Sequence, residues 1–130
     1  MVELDGEIKV LAMENYVEGP WIYKRDGHYY NVYASMGHGR ETISYAMAES
    51  IEGPWTNMGE LSGMAEDSFT IHPGVIDYKD RSYLFYHNST LSLEGYGPAT
   101  GRRSICVDEM FYNADGSIRP VIQTKAGIAE

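Results

Sequence analysis

Two aromatic segments of the chain have the pattern of one β-hairpin that occurs twice. Residues 22–33 and 75–86 each place Tyr-Lys before a polar turn, and two tyrosines spaced three apart after it. Tight polar turns between aromatic and β-branched residues favour hairpins. Glu18 and His72 stand at comparable positions ahead of these hairpins, each close to a proline. Repeats of about 40 to 50 residues with four strands each are typical of β-propeller blades.

The repeat predicts an all-β fold of about two propeller blades plus an incoming strand. We expect the incoming strand over residues 1–17, the first blade over 18–70 and the second blade over 71–130. The eleven tyrosines, two tryptophans and fourteen glycines also favour strands and tight turns over helices. Two blades do not close a ring, because propellers usually have four to eight.

The individual strands follow from runs of aromatic and β-branched residues bounded by turn residues. The segment from 56 to 69 reads as a loop that has room for a short strand, and the segment from 88 to 101 reads as a polar loop. Strands are predicted at residues 21–24, 28–34, 42–48, 75–86 (a hairpin), 102–110 and 118–123, with a weak edge strand in residues 1–15.

Charge and composition exclude several classes of function. The net charge of −9 opposes contact with a phosphate backbone, so nucleic acid is not an expected partner. Cys106 is the single cysteine, which rules out an internal disulfide. No stretch approaches the roughly 18 apolar residues of a membrane helix, and the N-terminus lacks the pattern of a secretion signal. A membrane partner is therefore not expected either.

Glu18 is the first candidate for chemistry, because a carboxylate at the mouth of a strand can act as a proton donor. The following Gly19-Pro20 forces a sharp entry into the hairpin. The alternative is a surface-loop glutamate, which describes most glutamates.

The stretch from 18 to 30, Glu-Gly-Pro-Trp followed by Tyr-Lys and Gly-x-Tyr-Tyr, resembles the acid-bearing motif of glycoside hydrolase family 43. The order and spacing of the other matching motifs strengthen the resemblance. They are Gly-Pro-Trp at 53–55, His-Pro-Gly-Val at 72–75, Gly-Arg-Arg-Ser at 101–104 and Asn-x-Asp-Gly at 113–116.

The resemblance implies the C-terminal portion of a five-bladed propeller that hydrolyses arabinofuranosyl or xylosyl linkages of plant cell-wall polysaccharides with inversion. It implies that Glu18 is the general acid and that the chemistry needs no cofactor. Such an acid must be protonated, so burial or a neighbouring carboxylate has to raise its pKa. The reaction also needs a second carboxylate as general base.

The resemblance places the general base, and a third carboxylate that tunes the acid, in blades that precede residue 1. Asp67 and Asp77 are carboxylates of this chain, but neither lies in a matching motif. Asp26 and Asp80 are explained as hairpin-turn residues.

Three further residues take roles from the resemblance, each with an alternative. His72 is expected at the propeller axis as a ligand of a structural calcium ion; the alternative is a buried histidine bonded to the backbone. Arg102 is expected to point toward the substrate and Arg103 away from it, by strand alternation; the alternative is a surface arginine. Trp21 can stack on a sugar ring or be buried between blades. The remaining histidines, His28, His38 and His87, are read as structural.

Two further readings stay open. The chain can be a catalytically incomplete fragment that binds carbohydrate or another protein, because it lacks the base. Open blade edges expose unpaired strands, which predicts a complementing chain or self-association. Polysaccharide substrates favour an extracellular or periplasmic location.

Overall fold

A computed structural model describes residues 6–91, 94–97 and 101–128. Within these ranges seven strands form two antiparallel sheets, with the orders β1-β2-β3-β4 and β5-β6-β7. The described residues include no helix long and apolar enough to span a membrane. The strands are β1 (Tyr16–Arg25), β2 (His28–Gly37), β3 (Arg40–Ala48), β4 (Thr56–Ser62), β5 (Gly74–Tyr78), β6 (Arg81–Asn88) and β7 (Ser104–Met110).

Two-residue turns close three hairpins, one between each pair β1–β2, β2–β3 and β5–β6. Both central residues of each turn have positive φ: Asp26-Gly27 at 48° and 86°, His38-Gly39 at 51° and 81°, and Lys79-Asp80 at 49° and 61°. Turns of this kind match the right-handed twist of the flanking strands. The predicted roles of Asp26 and Asp80 as turn residues are confirmed.

The core lies between the two sheets. Alternate residues of β2, β3, β5 and β6 point into it, as the period of two requires. Its members include Val32, Ile43 and Tyr45 from the first sheet, and Val75, Leu84 and Tyr86 from the second. Burial of both sheets against one another explains why the paired aromatic repeats fold as one unit, and the predicted all-β class is confirmed.

The segment from 6 to 15 differs from the predicted incoming strand, because none of its residues is in a strand. Ile8 and Val10 are 79% and 91% exposed, so they find no surface to bury against. Near its end the segment is held by hydrogen bonds. The Glu14 amide donates to Asn57 Oδ1 (3.0 Å), and Asn15 O accepts from the Met36 amide (2.9 Å). The first sheet begins at Tyr16, two residues before the predicted blade boundary.

Residues 118–123, the predicted fourth strand of the second sheet, form only an isolated bridge beyond the end of β7: Ile118 pairs with Tyr112, and the Arg119 amide donates to Phe111 O at 2.8 Å. Residues 121–123 do not continue this pairing. Instead the Val121 amide donates to Leu61 O of β4 at 2.8 Å, and Gln123 Nε2 donates to Gly63 O at 2.7 Å. Ile118 and Val121 are buried in the core between the sheets. The segment therefore ties the second sheet back to the first, and among the described residues the second sheet has three strands.

Candidate active site

Glu18 lies on an irregular part of β1. The pairing of β1 with β2 shifts register on both sides of Glu18, between Tyr16 and Glu18 and again between Glu18 and Trp21. Gly19 has φ +62°, a conformation that favours glycine. Irregularities of this kind bend a strand and re-aim its side chains. The Glu-Gly-Pro sequence therefore turns the Glu18 carboxylate out of the regular alternation.

Glu18 and His72 are 54 residues apart in sequence and in direct contact. Glu18 Oε1 lies 2.8 Å from His72 Nε2, and both side chains are partly exposed. Gly19 lies under the imidazole, because a Cβ at this position would meet His72 Cγ at 3.3 Å. The two predicted site residues are thus brought together by the packing of β1 against the entry to the second sheet.

Glu41 is a third member of this site that sequence reasoning missed. Its side chain is only 3% exposed, and Oε2 accepts the Ile71 amide at 3.0 Å. A signal was present, since Glu41 extends the apolar stripe of Ile43 and Tyr45 by one strand repeat. A carboxylate at the end of a core-facing stripe indicates a buried polar contact.

The arginine whose charge lowers the pKa of Glu18 is Arg103, whereas the prediction was Arg102. The positive charge of Arg103 acts on both Glu18 and His87, and its Nη2 donates to Thr70 Oγ1 at 3.4 Å. Arg102 instead donates from Nη1 to Leu91 O at 3.4 Å. Since β7 begins only at Ser104, both arginines precede the strand and its alternation does not orient them.

His87 lines the other side of His72. The two ring centroids are 5.9 Å apart in an edge-on arrangement. His87 is 7% exposed, and neither ring nitrogen has a hydrogen-bond partner among the described residues. Burial, with the nearby charge of Arg103, lowers the pKa of His87. His87, which the sequence predicts to be structural, therefore lies in contact with His72 of the site.

The surroundings of Glu18 favour its ionised form, whereas a general acid must be protonated. The hydrogen bond from His72, with the positive charges of His72 and Arg103, holds the pKa of Glu18 below its ordinary value. A carboxyl with a lowered pKa is ionised at neutral pH and cannot donate a proton. The chain as described thus orients the acid but favours its charged form.

The other predicted candidates lie elsewhere. Asp77 accepts a hydrogen bond from Ser82 Oγ and forms an ion pair with Arg25. It lies at the turn end of β5, whereas His72 precedes the other end of that strand, so the two side chains are separated along β5. Asp67 is a loop residue with φ +56°. Trp21 is half-exposed, and its ring lies 4.0 Å from the position of a Cβ on Gly74. Trp21 therefore packs against the start of β5 and also keeps an open surface.

Glu18, Glu41 and His72 also form a potential metal-ligand set. One ligand atom of each residue lies within 4.8 Å of those of the other two, so two carboxylates and one imidazole form a cluster. Calcium prefers six to eight oxygen ligands. The set therefore fits calcium in part, and further oxygen ligands would have to come from water or from outside the described residues.

Comparisons with known proteins give a consistent result. The chain is 31% identical to the beta-D-galactofuranosidase xynD of Aspergillus niger, covering 98% of this chain and 38% of that protein. It superposes on the GH43_1 enzyme from Xanthomonas citri complexed with xylotriose with a TM-score of 0.74 and 32% identity, covering 89% of this chain and 33% of that one. It also superposes on CoXyl43, a GH43 beta-xylosidase/alpha-arabinofuranosidase from a compost microbial metagenome in its calcium-free form, with a TM-score of 0.73 and 33% identity, covering 84% and 31%.

The chain spans about a third of the length of these relatives. Residues 1–118 match the family model described as glycosyl hydrolases family 43. The match covers both sheets, the bulge that carries Glu18 and the segment that carries His72. The chain therefore belongs to glycosyl hydrolase family 43.

Proposed function

We propose that this chain supplies the acid side of an inverting glycoside hydrolase site that cleaves arabinofuranosyl or xylosyl linkages of plant cell-wall polysaccharides. The observation that carries the proposal is the Glu18 carboxylate, aimed out of β1 by a bulge and held at 2.8 Å by His72. The named activities of similar proteins, among them beta-xylosidase and alpha-arabinofuranosidase, support the substrate class. Such substrates favour an extracellular or periplasmic location.

The proposal requires two contributions from outside this chain. An inverting site needs a second carboxylate about 6.5–9.5 Å from the acid to activate water. Asp77 is engaged by Ser82 and Arg25 at the turn end of β5, and neither Asp77 nor Asp67 lies in a motif that marks a general base. The lowered pKa of Glu18, caused first by the His72 hydrogen bond, has to be raised by an added carboxylate or by burial. The chain matches only a third of its relatives' length, so we assign both contributions to the rest of the protein.

Replacement of Glu18 by Gln in the complete protein tests the acid assignment. General acid catalysis contributes roughly 10²–10⁴-fold, so E18Q should lose that much of kcat on glycosides with poor leaving groups. It should lose far less on aryl glycosides, whose leaving group needs no proton. Glu60→Gln, which changes an exposed carboxylate on β4, is the matched control and should be neutral. Equal rates of E18Q and wild type on the poor leaving groups would refute the assignment.

A second candidate function is a catalytically incomplete module that binds carbohydrate. The lowered pKa of Glu18 favours it, since an ionised carboxylate can accept hydrogen bonds from sugar hydroxyls but cannot donate a proton. Half-exposed Trp21 offers an aromatic face to a sugar ring. Calorimetry and product analysis of the complete protein with xylotriose distinguish the two: binding without release of xylose supports the module, and a Trp21→Ala variant should weaken that binding.

We also propose a structural calcium ion at His72. Glu41 brings a carboxylate oxygen within 4.8 Å of a ring nitrogen of His72, and water is expected to complete the shell while Glu18 stays off the ion as the proton donor. Calcium should raise the melting temperature of the wild-type protein and leave that of His72→Ala unchanged. No change on chelation would remove the metal from the proposal.

A further inference from the structure

Glu41 is the most deeply buried carboxylate at the site, and it makes two separate bonds to one short segment. Its side chain accepts the Ile71 amide at 3.0 Å, and its own amide donates to Phe69 O at 3.0 Å. A buried carboxylate is costly unless it is hydrogen-bonded. Since Glu41 is 3% exposed, the bond to Ile71 is the compensation that keeps it there. One residue at the start of β3 thus fixes the segment 69–71 through both backbone and side chain.

The segment that Glu41 fixes leads directly into His72. His72 follows Ile71, and its Nε2 contacts Glu18 Oε1 at 2.8 Å. His72 also lies over Gly19, which leaves its ring little freedom on that side. A continuous series of contacts therefore runs from Glu41 through Ile71 and His72 to the carboxylate of Glu18. The Glu41 carboxylate also comes within 4.8 Å of ligand atoms of both other residues.

We propose that Glu41 is a positioning residue for Glu18, acting through the backbone of Ile71 and the imidazole of His72. The inference rests on the proposed function, because it assigns Glu18 the task of donating a proton to the leaving oxygen. Proton transfer depends on the donor being within hydrogen-bond reach of that oxygen. If the segment 69–71 is no longer held, the His72 ring can shift and the Glu18 side chain can rotate. The resulting loss of rate should appear in the step in which the leaving oxygen is protonated.

The variants are Glu41→Gln and Glu41→Ala in the complete protein. The amide oxygen of Gln can still accept the Ile71 amide, so E41Q should rescue the geometry, whereas Ala leaves that amide unpaired. We expect E41A to lose roughly tenfold or more of kcat on glycosides with poor leaving groups, as a fraction of the acid's contribution. Aryl glycosides should lose much less, and KM should change little. E41Q should recover most of the rate that E41A loses on glycosides with poor leaving groups, because it keeps the acceptor for the Ile71 amide.

A spectroscopic readout makes the test independent of activity. In the complete protein labelled with ¹⁵N-histidine, the ring nitrogen of His72 that is bonded to Glu18 should give a ¹⁵N signal shifted by that hydrogen bond. That signal should persist in E41Q and disappear in E41A, while the signals of His28 and His38, on β2 and its turn, stay unchanged. Persistence of the His72 signal in E41A would overturn the inference, and so would an equal loss of rate on both substrate types.

Two controls keep the outcomes distinct. If E41A does not fold, Glu41→Asp decides: it keeps the charge and withdraws the acceptor by one methylene, so the same selective loss is expected, and unchanged selectivity overturns the inference. Glu18→Gln is assayed beside it. If E18Q shows the selective loss and the Glu41 variants do not, the positioning role fails alone. If E18Q shows no selective loss, the proposed function fails, and the His72 signal still decides what Glu41 does.

Discussion

At the scale of single residues, the orientation of Glu18 depends on a glycine. Gly19 has φ +62°, and the His72 ring occupies the space next to its Cα. A side chain there meets two costs, the left-handed backbone and the contact with the ring. The backbone cost for an L-residue is about 1–2 kcal/mol.

Gly19→Ala and Gly39→Ala separate these two costs. Gly39 has φ +81° and nothing within 4 Å of an added Cβ, so G39A should show the backbone cost alone, about 1 kcal/mol. G19A should be less stable than G39A, because its Cβ would lie 3.3 Å from His72 Cγ. Urea unfolding of both variants measures the difference. Equal destabilisation would mean that the ring moves away freely.

Tyr30 gives a prediction at alkaline pH. It is buried in the core, its hydroxyl donates to Gly116 O at 2.8 Å, and burial raises its pKa to about 12. An unfolded tyrosine ionises near pH 10. The neutral folded form therefore contributes stability fully below about pH 10, and this is lost as pH rises towards 12. Tyr30→Phe should lower the free energy of unfolding at pH 8 by about 1 kcal/mol and flatten its decline above pH 10. Urea unfolding at pH 8, 10 and 12 checks this; parallel curves would contradict it.

Residue identity could be predicted where a side chain sits in a short motif. The sequence predicts Glu18 and His72 because each precedes a repeated hairpin, and their contact follows from packing one repeat on the other. Arg103 was missed because the register of two arginines ahead of a strand depends on where that strand begins. For Glu41 the core-facing stripe indicates a buried polar contact, but it does not identify the partner, a backbone amide 30 residues away.

At the scale of elements, the hairpins were predictable and the last segment was not. Turn residues and aromatic alternation define β1–β2, β2–β3 and β5–β6 locally. The segment 118–123 has a strand-like pattern too, but the sheet it bonds to depends on long-range packing. Tyr45 ties the segment to the first sheet, because its hydroxyl accepts a hydrogen bond from the Ile118 amide at 3.0 Å and donates one to Ile118 O at 3.3 Å.

Tyr45→Phe tests this tie between the segment and the first sheet. It leaves a buried amide and a buried carbonyl unpaired, which should cost about 1–3 kcal/mol. Tyr78→Phe, an exposed tyrosine on β5, is the matched control and should be neutral. Hydrogen exchange should show faster exchange at Ile118 in Y45F while the β2 amides stay protected. Protection at Ile118 equal to wild type would indicate that core packing alone holds the segment.

At the scale of the whole molecule, the second sheet has one face in the core and a second face that is open over part of its area, since Tyr83 and His87 are buried there. Cross-strand pairing puts Phe85 on the same face as Gly74 and Val107, and puts Ile105 there opposite His87. Ile76, Phe85 and Ile105 are 51%, 39% and 84% exposed on this side. In a propeller each blade packs face to face with the next, so this open face is where we expect a further blade.

Exposed apolar side chains on such a face predict that the 130-residue chain self-associates when it is prepared alone. Ile105→Lys places a charge at the most exposed position of the face, so it should shift the chain toward monomer in sedimentation velocity. The free energy of unfolding should change by less than about 0.5 kcal/mol, since Ile105 makes little core contact. Val10→Lys is the matched control, because Val10 is 91% exposed in the segment that belongs to neither sheet. If I105K and V10K reduce association equally, net charge rather than this face controls self-association. If the wild-type chain is monomeric, the open face does not require a partner.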